Sequence, residues 1–210
     1  FMDAPETAKL TRASWIGAAM HTKGLTEAQA TVEIDKAIKR GALVASEARY
    51  TTPKAQQVER RILAIERDGR GAVQPIQSVE AIAAKLAKSD LNEGQREAVT
   101  MILSSNNRFS AVQGYAGTGK SHMLKQAFDQ ITKATGETAK QEGHTVIGLA
   151  PYASQVAALK ELGVESNTLA SFLHSKKAQG ELNHKTIVVL DEAGVVPAHQ
   201  LANIMGLVEK

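Results

Sequence analysis

Gly114-Tyr115-Ala116-Gly117-Thr118-Gly119-Lys120-Ser121 fills every fixed position of the pattern G-x-x-x-x-G-K-[ST]. The apolar run Phe109–Gln113 leads into it, predicting a strand. Met123, Leu124, Ala127, Phe128 and Ile131 follow at helical spacing, predicting a helix over 120–134. Strand, glycine-rich loop and helix in that order form a cradle for phosphate. Gly114, Gly117 and Gly119 let the backbone curl so that its N–H groups, that of Thr118 among them, face inward. The helix N-terminus adds partial positive charge. In such a loop Lys120 reaches the β- and γ-phosphates of ATP, and the Ser121 hydroxyl ligates Mg²⁺. A glycine-rich turn matching by accident is the alternative; average composition gives it a chance of about one in a hundred.

About 70 residues downstream, Ile187-Val188-Val189-Leu190-Asp191-Glu192 is an apolar strand ending in two acids. Open α/β sheets place ligands at the C-terminal ends of their strands. Asp191 there would hold the Mg²⁺, and Glu192 would orient and deprotonate an attacking water. The competing reading is two exposed acids capping the next turn. A paired Asp-Glu favours hydrolysis over phosphate transfer to a small molecule.

From Leu91 onward, helices alternate with short apolar strands. The spacing predicts helix 92–105, strands 109–113, 145–150 and 186–190, and helices 120–134, 153–162, 168–174 and 197–208. That order implies a doubly wound parallel sheet, an α/β fold of the RecA-like P-loop NTPase kind. Residues 3–21 and 26–40 read as helices, the second opened by the capping pair Thr26 and Gln29. Leu43-Val44 and Tyr50-Thr51 suggest a hairpin, and Pro53 behind Thr52 starts a helix to about Arg67. Asp68–Ser78 has the glycine and proline content of a linker, and a further helix spans 79–88. The expected organisation is a helical, winged-helix-like accessory domain over 1–75, a linker and helix over 76–90, and the ATPase domain over 91–210, incomplete at its C-terminus.

The absence of cysteine excludes disulfides and thiolate metal sites, which fits a reducing cytosol. The apolar runs fall short of a membrane span, and Asp3, Glu6, Lys9 and Arg12 break any signal-peptide pattern, so a cytoplasmic protein without membrane insertion is expected. Phe1-Met2 reads as a cloning scar or an internal start. Histidines 21, 122, 144, 174, 184 and 199 show no metal-ligand spacing. Residues 1–88 hold 14 Lys and Arg against 10 Asp and Glu, whereas 89–210 hold 11 against 12. A basic first part is compatible with nucleic acid or with merely solvated helices.

The segments LNEGQREA (91–98), FSAVQGYAGTGKS (109–121), GLAPYASQ (148–155), TLASFLH (168–174) and VVLDEAG (188–194) together resemble the first motor domain of RecD-type superfamily 1B helicases. The first, second and fourth look closest to the TraI/TrwC-type conjugative relaxase-helicases, and RGALVASEARYTTPKAQQVERRILAIERDGRGAVQPI (40–76) resembles the segment before their motor. The likeness covers roughly 180 of the 210 residues. It implies an ATP-dependent helicase moving 5′ to 3′ on single-stranded DNA in conjugative plasmid transfer. The implied partners are a relaxase domain, a second RecA-like lobe with arginine fingers, and a type IV secretion coupling protein. Without that second lobe, slow turnover and no unwinding are expected.

By the same resemblance Gln95 grips the adenine edge, whereas read alone it is a helix-capping or solvent glutamine. Pro151, Tyr152, Ser154, Gln155, Thr168 and Ser171 would face the DNA strand; the plain alternatives are a strand-end turn and a helix N-cap at Thr168. A degenerate, non-motor helicase-like module that binds DNA or serves as a translocation signal is the second function. A P-loop kinase or switch is the third.

Overall fold

A computed structural model describes residues 9–115, 117–132 and 144–209. The chain divides into two compact units. One holds the described residues up to Ala64 together with Pro197–Asn203; the other holds Ile65–Val196 and the residues from Ile204 onward.

The first unit begins with helix α1 (Arg12–Lys23), whose N-cap Thr11 accepts from the Ser14 N–H, and α2 (Glu27–Lys39), opened by the full Thr26–Gln29 capping box. The helix expected over 3–21 therefore starts at Arg12. Thr11 takes the capping position, and Leu10 is instead bridged to Tyr50 in extended conformation; residues 3–8 lie outside the described residues. Strands β1 (Val44–Ser46) and β2 (Arg49–Thr51) form the hairpin in the register Val44↔Thr51, Ala45↔Tyr50 and Ser46↔Arg49. The turn is thus tighter than expected, two residues long, with Glu47 at φ 55°. Leu43 does not pair because it is core, packed with Trp15, Ala19, Ala30, Ile34 and Ala37. Trp15 is buried as expected, and its Nε1–H donates to the Tyr50 carbonyl at 3.0 Å. Helix α3 (Pro53–Asp68) buries Ala55 and Ile65 and half-buries Val58 and Ile62, one face at helical spacing.

The glycine- and proline-bearing stretch after α3 is fixed by hydrogen bonds rather than running free. Arg108 N–H donates to the Gly69 carbonyl at 2.8 Å, Gly71 N–H to Asn107 Oδ1 at 2.9 Å, and Val73 and Gln77 N–H to the carbonyls of Asn106 and Leu103. Helix α4 (Val79–Leu86) is capped by Ser78, and α5 (Glu93–Ser104) by Asn92. Their inner faces, Ile82, Leu86, Val99 and Leu103, share one core with Met123, Ala127, Phe128 and Ile131 of α6 (Lys120–Thr132).

Three parallel strands, β3 (Thr145–Ala150), β4 (Glu165–Thr168) and β5 (Thr186–Leu190), are ordered β4-β3-β5. Helix α7 (Ala153–Glu161) crosses from β3 to β4, and α8 (Leu169–His174) follows β4 directly. Helix α9 (Lys176–Gly180) leads toward β5, and α10 (Ala198–Val208) follows it. This is the expected α/β class, and the three-stranded parallel sheet accords with it. Two details differ. Strand β4, polar in sequence, exists because β3 offers it a parallel edge. Phe109–Gln113 forms no strand: Phe109 packs on Gly69, and residues 110–113 are exposed without ladder partners. An apolar run becomes a strand only where an edge receives it. No described helix is long and apolar enough to cross a membrane.

Candidate nucleotide site

The phosphate loop runs from Gly114 into the first turn of α6, which Lys120 opens. Gly117 and Gly119 have φ of 78° and 75°, values that favour glycine. A Cβ at Gly114 would lie 2.9 Å from Thr118 Oγ1, and one at Gly119 would lie 2.5 Å from Gln95 Nε2. At Gly119 the positive φ itself demands glycine, and at Gly114 a Cβ would displace the Thr118 hydroxyl. Thr118 Oγ1–H donates to the Tyr115 carbonyl at 2.8 Å, and the Lys120 ammonium donates to the carbonyls of Gly114 (2.8 Å) and Tyr115 (3.1 Å). The loop is thus closed on its own lysine, with Ser121 exposed at the helix start and Ala116 outside the described residues.

Gln95 joins this loop from α5. Its Oε1 accepts from Asn92 N–H at 3.0 Å, its N–H donates to Asn92 Oδ1 at 2.9 Å, and its Nε2 donates to the Thr118 carbonyl at 3.0 Å. The capping role read from the residues alone is present, with a loop contact in addition. Just before α5, Asp90 Oδ1 lies 2.8 Å from His122 Nε2. That hydrogen bond holds the Asp90 carboxyl below its ordinary value. Nothing in the sequence pointed to this pair, which is 32 residues apart; the Asn92-x-x-Gln95 spacing was a readable capping signal.

Asp191 continues β5 by one bond, its N–H donating to the Leu149 carbonyl at 2.9 Å. Its Oδ1 accepts from Glu192 N–H at 2.9 Å, which turns the next residue sharply, and Glu192 sits at φ 50°. This strained backbone leaves the Glu192 side chain exposed beyond the strand end. The register Leu149↔Leu190 and Ala150↔Thr168 sets Pro151, Thr168 and Asp191 side by side along the C-terminal edge of the sheet. Tyr152, the N-cap of α7, is 61% exposed there, with its N–H donating to Gln155 Oε1. Ser154 is exposed on the first turn of α7. Thr168 caps α8, its Oγ1 accepting from Ser171 N–H at 3.2 Å, while the Ser171 side chain remains exposed. The Thr168 hydroxyl keeps its own proton to donate.

The Ser121 hydroxyl and the Asp191 carboxylate are each hard-oxygen donors of the kind Mg²⁺ takes. With the glycine-lined loop, the residues fit a nucleotide and its divalent ion. Among the described residues, no three His, Cys, Asp or Glu side chains cluster as a self-sufficient metal site. His144, half-buried before β3, is pushed below its ordinary value by burial and then by Lys185 and His184; it lies on the opposite edge from Asp191.

The model of the AAA domain family matches residues 90–210. Among curated proteins, the multifunctional conjugation protein TraI of Escherichia coli (strain K12) is 35% identical over 182 residues, 84% of this chain and 10% of that protein. Conjugal transfer protein TraA of Rhizobium radiobacter is 33% identical over 141 residues, 66% of the chain and 12% of the relative. TraA of Agrobacterium fabrum is 37% identical over 121 residues, 56% and 10%. The chain spans about a tenth of the length of these relatives.

Proposed function

Because the chain belongs to the AAA domain family and is homologous to a segment of TraI-type conjugation proteins, we propose that it carries the ATP site of a DNA motor. That motor is a helicase moving 5′ to 3′ along single-stranded DNA during conjugative plasmid transfer, in the cytoplasm. The reading is supported by two motifs, each with fitting local geometry: a glycine-curled loop at the start of α6, and Asp191-Glu192 at the end of β5. In this reading the backbone N–H groups of Thr118, Gly119 and Lys120 hold the phosphates. The Lys120 ammonium leaves the Gly114 and Tyr115 carbonyls for the β- and γ-phosphate oxygens. Ser121 and Asp191 hold Mg²⁺, which neutralises phosphate charge when bound. Glu192, raised clear of the strand by its left-handed backbone, orients the attacking water and takes its proton.

The row Pro151, Tyr152, Ser154, Thr168 and Ser171 offers hydroxyl donors and an exposed ring beside that site, a surface for a single strand's phosphates and bases. In the first unit, Glu59, Asp35 and Glu33 pair with Lys9, Arg12 and Lys23 at 3.0, 2.7 and 3.1 Å. Lys36, Lys39 and Arg40 at the end of α2, with Arg49 on the hairpin and Arg60 and Arg61 on α3, add a cationic supplement. In the longer protein the partners are a relaxase domain, a second RecA-like lobe and a secretion coupling protein. The experiment is ATP hydrolysis by the longer protein with and without single-stranded oligonucleotide. Stimulation by DNA supports the motor, and DNA binding with no turnover supports the non-motor module instead. Intact Lys120, Ser121, Asp191 and Glu192 favour the motor.

A further inference from the structure

Helices α1 and α2 are joined by three residues, Gly24, Leu25 and Thr26. Gly24 ends α1 in the left-handed region at φ 63°, and Thr26 opens α2 through its capping box. Leu25 packs against the core that Trp15 and Ala19 of α1 share with Ala30, Ile34 and Ala37 of α2. Two helices tied by a short glycine-bearing turn over a common core make a helix-turn-helix, whose second helix can enter a groove of DNA. The β1–β2 hairpin leaves directly from the end of α2, because the N–H groups of Ala42 and Leu43 both donate to the Ala37 carbonyl. Its tip, Glu47, Ala48 and Arg49, is exposed.

The outer face of α2 has the chemistry of a groove-reading helix. Opposite its buried side it presents Ala28, Val32, Lys36 and Lys39 at helical spacing, all exposed, with Val32 52% open to solvent. Leu25, Ala28, Val32 and Lys36 border one shallow depression. The first half of the face is small and apolar; the second half is cationic, with Arg40 just beyond. The neighbouring acids are engaged by α1. Glu33 accepts from Lys23 at 3.1 Å, and both Asp35 oxygens accept from Arg12 Nη2 at 2.7 and 2.8 Å.

Small side chains let a helix approach base edges, where their methyl groups meet the thymine methyl, and cations farther along meet phosphates. A helix about 10–12 Å across fits the roughly 12 Å major groove of a duplex. A single strand offers no such groove, and the run of cations suits a polyanion better than a protein surface.

We propose that the first unit is a duplex-DNA-binding module, with the outer face of α2 in the major groove and the hairpin along the backbone. This extends the DNA-motor reading above, giving paired DNA to the first unit. Lys36, Lys39 and Arg40 serve the phosphates of either form, whereas Ala28 and Val32 discriminate because they need a groove.

The test is fluorescence anisotropy of the full chain on a labelled duplex of about 20 base pairs, two helical turns, and on one of its strands alone. Ala28→Glu and Val32→Glu each place a carboxylate on the outer face of α2. Ala84→Glu adds the same charge on the exposed side of α4. Glutamate is a good helix former, so all three thermal midpoints should match wild type. Expected for the first two is a loss of duplex affinity of about tenfold or more, the size of a lost base contact. Their affinity for the strand alone, and both affinities of Ala84→Glu, should stay near wild type. Equal losses on duplex and strand, or the same duplex loss with Ala84→Glu, would overturn the assignment. So would unchanged duplex affinity, which leaves a protein-docking or solvated face, or a wild type that binds no duplex at low salt. None of these outcomes bears on the nucleotide site, since DNA-stimulated hydrolysis by the longer protein is measured separately.

Discussion

The Lys120 ammonium lies 2.8 Å from the carbonyl oxygen of Gly114, so the loop holds its own cation across its mouth. An arriving triphosphate exchanges two neutral carbonyls for charged oxygens, which make roughly twice as strong a hydrogen bond. Replacing Lys120 with Ala removes that exchange. With about 1.5–3 kcal/mol for a charge-assisted bond, affinity for Mg·ADP or Mg·ATP should fall roughly 10- to 150-fold by calorimetry. Equal affinity in both proteins would remove Lys120 from the site.

Glu192→Gln keeps the side chain's shape and removes its basicity. In the longer protein, nucleotide binding should persist while DNA-stimulated hydrolysis drops about 10²- to 10⁴-fold, the usual contribution of a general base. Asp191→Asn should instead raise the Mg²⁺ concentration needed for half-maximal rate. Normal turnover by Glu192→Gln would sink the water-activating role.

Charge reversal of Lys36, Lys39 and Arg40 to Glu tests whether the end of α2 meets DNA. Each phosphate contact to a single strand steepens the salt dependence by roughly 0.7 in log K against log salt. Losing three contacts should flatten the slope by about 2, read by fluorescence anisotropy of a labelled single-stranded oligonucleotide with the full chain. Superimposable salt curves would mean these cations only solvate the helix end.

Gly148→Ala tests the packing under the sheet edge. An added Cβ would run into Ser166 Oγ and stand 3.2 Å from a Leu159 methyl, in a buried strand. Overpacking of this kind costs about 1–3 kcal/mol, so the thermal midpoint should fall by several degrees. Adding Ser166→Ala, which removes the hydroxyl, should recover part of the loss. An unchanged midpoint in the single variant would contradict the close approach.

What the sequence determined on its own is short in range. The phosphate loop is legible because eight consecutive residues encode its curl and its lysine. Helices α2 and α5 are legible because a cap and a period of 3.6 lie within a dozen residues, as Thr26 with Gln29 and Asn92 with Gln95 demonstrate. Tertiary structure decided what depends on a partner brought from elsewhere. Polar Glu165–Thr168 became a strand because β3 presented an edge, and apolar Phe109–Gln113 did not become one because none met it. Register alone put Thr168 and Asp191 on one rim. The direction of the Gln95 amide depended on Thr118, 23 residues away, and the Asp90–His122 pair on a separation of 32. Backbone propensity acts between neighbours in the chain, whereas hydrogen bonds and packing act between neighbours in space, and only folding makes the second kind of neighbour.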